Sequence, residues 1–134
     1  MSVSTRYIAA PPDSSLPALV IQLTTLVDSC MIWIGITQEA EEMAEKVVES
    51  GRLGSDWACA MPSSDSSKDC PSVSLLRASH SDVAMSMAPR LARRFKKQIF
   101  LAVDIPPAFI SAGQIPPIIL HMEKQLVRIL REIS

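Results

Sequence analysis

A chain of 134 residues with 48% hydrophobic content is long enough to bury one core but not two. Its formal net charge of -1 excludes a nucleic-acid binder driven by bulk electrostatics, because phosphate contacts call for a clear basic excess. Cys30, Cys59 and Cys70 are odd in number and form no C-x-x-C pair, so neither a disulfide framework nor a zinc site is indicated.

Residues 1–15 contain Pro11-Pro12-Asp13-Ser14-Ser15 and little periodicity, which predicts a flexible tail before a domain over 16–134. From Leu16 to Leu26, Leu19, Ile21 and Leu23 alternate with Val20, Gln22 and Thr24, as in a strand with one wetter face. Asp28-Ser29 is a short connection and favours an antiparallel hairpin into a second strand, Cys30 to Ile36. A helix is predicted next. Thr37 can cap it, Glu39, Glu41 and Glu42 suit its positive end, Ala40, Met43, Ala44, Val47 and Val48 form its apolar stripe, and Gly51 closes it.

Trp57 to Met61 reads as a strand that Pro62 stops, Ser63 to Asp69 as a surface loop, and Ser72 to Leu76 as a further strand. In the following helix Leu91, Ala92 and Phe95 fall at helical spacing, while Arg90, Arg93, Arg94, Lys96 and Lys97 gather where cations complement the negative end of the dipole. Pro89 is tolerated best in a first turn, which favours a start capped by Ser86, or else a kink. Ile99 to Val103 is apolar without interruption and reads as a strand covered on both faces. Pro116-Pro117 preorganises a last helix, whose Ile118, Ile119, Met122, Leu126, Ile129, Leu130 and Ile133 make the cleanest amphipathic pattern of the chain. The order of elements predicts a single α+β domain, with a mainly antiparallel sheet of about five or six strands packed with three helices.

Candidate chemistry is sparse. His80 and His121 sit in no nucleophile elbow, H-E-x-x-H or Cys/His pattern, and with four glycines the chain offers no phosphate-cradling motif. No catalytic, cofactor or metal residue is therefore expected. The run Arg90, Arg93, Arg94, Lys96, Lys97 has two readings, a solvated helix end or a docking patch for an acidic protein surface. Trp33 and Trp57 are core residues or interface anchors, with Trp33 favoured as core. Leu120 and Val127 stand off the main stripe of the last helix and offer either a partner contact or a thicker core layer.

Three segments in order, VDSCMIWIGIT (27–37), PSVSLLRASHSD (71–82) and APRLARRFKKQIFLAVDI (88–105), resemble the proteasome assembly chaperone 4 family. That family pairs a "TDS, apolar strand, W-apolar-G" segment with a later "LA-x-RLAR, basic, KQ-apolar strand" segment. The likeness runs from about Leu16 to the C-terminus. Here Arg77 stands where glycine is usual, Pro89 interrupts the stretch before RLAR, and Gly54 to Cys70 is long for the family. The resemblance implies a compact sheet with helices against it and a non-enzymatic chaperone. It further implies a heterodimer with a chaperone 3 type partner that guides proteasome α subunits into the α-ring of the core particle. A small adaptor of another multiprotein complex, such as a trafficking scaffold, is the alternative, and a small enzyme whose residues meet only in space is a third. No nucleic acid and no membrane is expected as partner. The longest apolar runs fall far short of a span, and Met1 to Pro12 lacks a secretory pattern, so a cytosolic or nuclear home is expected.

Overall fold

The computed structural model describes residues 2–12, 16–37, 43, 46, 48, 56–62, 71–76, 83–105 and 115–133. Six strands, β1 (Ser2–Ile8), β2 (Ala18–Leu26), β3 (Ser29–Thr37), β4 (Trp57–Ala60), β5 (Ser72–Leu76) and β6 (Gln98–Asp104), form one sheet in the order β1-β2-β3-β6-β4-β5. Neighbouring strands are antiparallel except β3 and β6, which run parallel with Ser29 opposite Gln98 and Gly35 opposite Asp104.

The hairpin between β2 and β3 follows from its turn. Leu26 pairs with Ser29, leaving Val27 and Asp28 as the two-residue connection. Asp28 takes a left-handed φ of 55°, which aspartate tolerates better than most residues. Its carbonyl accepts from the Gln98 N–H at 3.1 Å and so ties the turn to the start of β6.

β1 corrects the expectation of a flexible tail. Val3, Thr5 and Tyr7 alternate with Ser2, Ser4 and Arg6, and all seven residues of the strand pair with β2 from Ser2 opposite Thr25 to Ile8 opposite Leu19. The two prolines that suggested a tail lie beyond the strand, where they break no ladder bond.

Among the described residues two helices, α1 (Val83–Phe95) and α2 (Ile115–Ile133), pack on one face of the sheet. The expected third helix, 37–51, lies outside the described residues apart from Thr37, which ends β3, Met43, and the helical Lys46 and Val48. The main core is formed by Leu19, Ile21 and Leu23 of β2, Cys30, Ile32 and Ile34 of β3, and Ile99, Leu101 and Val103 of β6. Against it α1 sets Val83, Ala84, Met87, Ala88, Leu91 and Ala92, and α2 sets Ile118, Met122, Leu126, Ile129 and Leu130. Pairings of Ile21 with Ile34, and of Ile34 with Val103, keep these residues on one face across three strands.

The start of α1 differs from the expected Ser86 cap. The helix already holds Val83, and Pro89 is interior. An interior proline costs about 3 kcal/mol by removing a bond and crowding the preceding turn. Burial of Val83, Ala84, Met87 and Ala88 around it offsets that loss. The cap comes from a distance. Asp56, 3% exposed just before β4, accepts from the Ala84 N–H through Oδ2 at 3.2 Å, while its own carbonyl accepts from the Val103 N–H at 2.8 Å. One residue thereby joins the head of α1 to the end of β6. At the other end the Lys96 N–H donates to the Ala92 carbonyl at 2.9 Å with φ at 55°, a left-handed stop usually given to glycine.

Candidate functional site

The near-zero net charge conceals a strong asymmetry. Residues 83–133 carry eight Lys and Arg against three Asp and Glu, whereas the preceding 82 residues carry five against eleven. Arg90, Arg93, Arg94 and Lys96 are exposed on and just after α1, with Lys97 half-buried. Lys124, Arg128 and Arg131 are exposed on α2. The basic segment singled out in the sequence is therefore one side of a larger cationic helix layer, and the α2 members were equally visible from helical period.

Within that layer the five predicted docking residues divide. Arg90 is paired: its Nε and Nη2 both donate to Glu123 Oε1 of α2, at 2.9 and 2.5 Å. This bridge between helices was invisible in the sequence, because 33 residues separate its partners and no local spacing joins them. Arg93 and Arg94 border a hollow of about 240 Å³ with Leu91, Val127, Arg90 and Glu123. A second hollow of about 340 Å³ lies on the other side of the bridge, between Arg90, Glu123, Pro116, Ile119 and Leu120. Lys96 and Lys97 line neither hollow. Leu120 is 55% exposed, whereas Val127 is half-buried against the core, so the pair that stands off the main stripe splits between a solvent-exposed and a core-edge position.

The opposite face of the sheet carries a smaller apolar cluster: Val20, Trp33 and Ala102, with Tyr7, Val48 and Trp57 packed against it. Trp33 is core, as expected, at 6% exposed. Ala102 stands opposite both Trp33 on β3 and Trp57 on β4, which brackets the small residue with two indoles. The W-x-G spacing has a steric cause. A Cβ on Gly35 would lie 2.5 and 2.6 Å from two ring carbons of Trp33, so the indole lies over a residue that cannot carry a side chain.

His121 is half-buried on α2, and burial lowers its pKa, with the charge of Lys124 adding to the effect. Its Nε2 has no hydrogen-bond partner, nor has Oε1 of Gln125 one turn on. Burial raises the Cys30 thiol pKa against the opposing influence of Lys97. That suits a core residue better than a reactive one. Among the described residues no group of three His, Cys, Asp or Glu is placed to hold a metal ion, and no helix is long and apolar enough to cross a membrane. His80 and Cys70 lie outside the described residues.

The model of the family described as proteasome assembly chaperone 4 matches residues 18–105, from the first residue of β2 through β6. The chain belongs to that family. The same span contains α1 and its basic end, so Arg90 to Lys97 lie within the matched region and α2 beyond it. The fold is similar to that of a chain in the crystal structure of a novel chaperone complex for yeast 20S proteasome assembly, with a TM-score of 0.64 over 98% of each chain and 20% identity. At that identity the likeness is one of fold. No curated protein matches the chain.

Proposed function

We propose that this member of the proteasome assembly chaperone 4 family is a non-enzymatic chaperone of the core particle, acting in the cytosol or nucleus as a heterodimer with a chaperone 3 type partner to order α subunits during ring formation. The observation that carries this reading is the family match over 18–105, because those residues build five of the six strands in the sheet and the basic helix α1. The likeness of fold to a chain of a proteasome-assembly chaperone complex supports it. So does a surface suited to protein binding, with a cationic helix layer and two shallow hollows.

The mechanism is surface complementarity. Arg93 and Arg94 steer encounter with an acidic α-subunit surface, and release follows if assembly intermediates bind the chaperone better than the finished ring does. Mass spectrometry of proteins retained by the tagged chain at physiological salt tests the reading. Proteasome α subunits and a chaperone 3 type partner are expected, and co-expression with that partner should raise soluble yield. Retention of subunits of some other complex, without α subunits, would make the chain an adaptor instead.

A further inference from the structure

We propose that the groove between α1 and α2 is a docking site for an acidic protein segment that presents an apolar side chain between carboxylates. The groove has an apolar floor and a cationic rim. Leu91 and Val127 lie in one hollow, Ile119 and Leu120 in the other, and Arg90, Arg93 and Arg94 border them. Pockets for drug-sized ligands run to about 300–1,000 Å³. At about 240 and 340 Å³ one hollow falls below that range and the other near its lower end, which suits one side chain each better than a cofactor.

Charge complementarity selects the occupant. The acidic residue bordering both hollows is Glu123, and Arg90 holds it through a single oxygen, so the guanidinium is not engaged in a two-oxygen fork. An incoming carboxylate can take up the Nη1 side of Arg90, which makes no bond to Glu123, with Arg94 exposed beside it. The bridge between the hollows then serves as the central polar contact, flanked by apolar anchors. A basic segment would meet like charge along the rim, and a nucleic acid would gain nothing from the leucine, isoleucine and valine of the floor.

This inference deepens the chaperone reading by giving the chemistry of the client segment, and it rests on that reading only in taking the occupant to be a protein. The probe is a fluorescein-labelled peptide, acetyl-Glu-Asp-Leu-Phe-Glu-Asp-amide, titrated into the full-length chain by anisotropy between low and high salt. Controls replace its acids with lysine or its Leu-Phe with Ser-Ser. Binding that weakens with salt and fails for both controls is expected, together with NMR shifts at the methyl groups of Leu91, Leu120 and Val127. Arg94→Glu and Leu120→Ser, both at exposed positions, should each lower affinity on the order of tenfold while leaving the circular dichroism spectrum unchanged.

Equal binding of the lysine peptide, equal competition by a single-stranded oligonucleotide, unchanged affinity in both variants, or shifts confined to the Trp33 face of the sheet would each overturn the site. Recovery of α subunits by the chain is read separately. An Arg94→Glu chain that retains α subunits but loses the peptide puts the client contact elsewhere and leaves the chaperone function standing. A wild-type chain that binds the peptide in the groove but recovers no α subunits keeps the groove and removes that function.

Discussion

Replacing Gly35 with alanine tests whether the indole of Trp33 dictates the glycine. Carbon atoms pack best at about 3.5–4.0 Å, and the new methyl would lie 2.5 and 2.6 Å from two ring atoms, an overlap of about 1 Å that neither partner can absorb by flexing. The ring is held by Val20 and Ala102, both essentially buried, so it must tilt or leave. Overpacking of this kind costs roughly 1–3 kcal/mol. Against it, alanine is favoured over glycine in a strand interior by roughly 0.5–1 kcal/mol, so the overlap wins and Gly35→Ala should destabilise by about 1–2 kcal/mol. With Trp33→Ala already in place the overlap vanishes and only the intrinsic preference remains. In that background Gly35→Ala should be neutral or stabilising by up to about 1 kcal/mol. Urea melts of the four proteins of the cycle measure this, with tryptophan fluorescence reporting any displaced indole in the single variant. Equal destabilisation in both backgrounds would refute the steric account and leave the backbone itself as the reason for glycine.

Other perturbations probe different parts of the frame. Leu126→Ala, at a site 1% exposed in the stripe of α2, should cost roughly 2–5 kcal/mol in a denaturant melt, and a loss below about half a kcal/mol would show the helix to be peripheral. Asp56→Ala removes the cap of α1 and should cost about 0.5–2 kcal/mol, while Asp56→Asn, which keeps an acceptor, should lose less; equal losses would show that the charge, not the hydrogen bond to Ala84, is what matters. Because the folded pKa of His121 lies below its unfolded value of 6.5, the folded state binds fewer protons there. Its contribution is complete above pH 6.5 and is lost as pH falls below that value, so His121→Gln should flatten the decline in thermal midpoint on moving from pH 7 to pH 5.

Residues whose neighbours are close in sequence were the readable ones. The β2–β3 hairpin, β5, β6 and α2 follow from alternation, unbroken apolar runs and the three-and-four spacing of the last helix. β1 was obscured because Pro11 and Pro12 are stronger signals than the modest alternation of Val3, Thr5 and Tyr7, and its partner strand lies beyond a connection of nine residues. Pro89 misled for a related reason: local chemistry argues against an interior proline, and only packing on β4 and β6 reverses the balance. In the candidate site the cations could be read directly. Their division could not, because the Arg90–Glu123 bridge and the Asp56 cap depend on contacts 33 and 28 residues apart.

The lone parallel pair in the sheet bears on the order in which the chain folds. Its paired residues lie 69 apart in sequence, from Ser29 opposite Gln98 to Gly35 opposite Asp104, whereas β1, β2 and β3 form an up-and-down meander from the first 37 residues. Loop-closure entropy delays distant pairings relative to local ones. During synthesis the meander can therefore zip up first, leaving β3 as a naked edge of Cys30, Ile32 and Ile34 until β6 emerges from the ribosome. A pause or truncation between Thr37 and Gln98 would prolong the life of that edge, making the nascent three-stranded half, and not the finished domain, the species most exposed to aggregation.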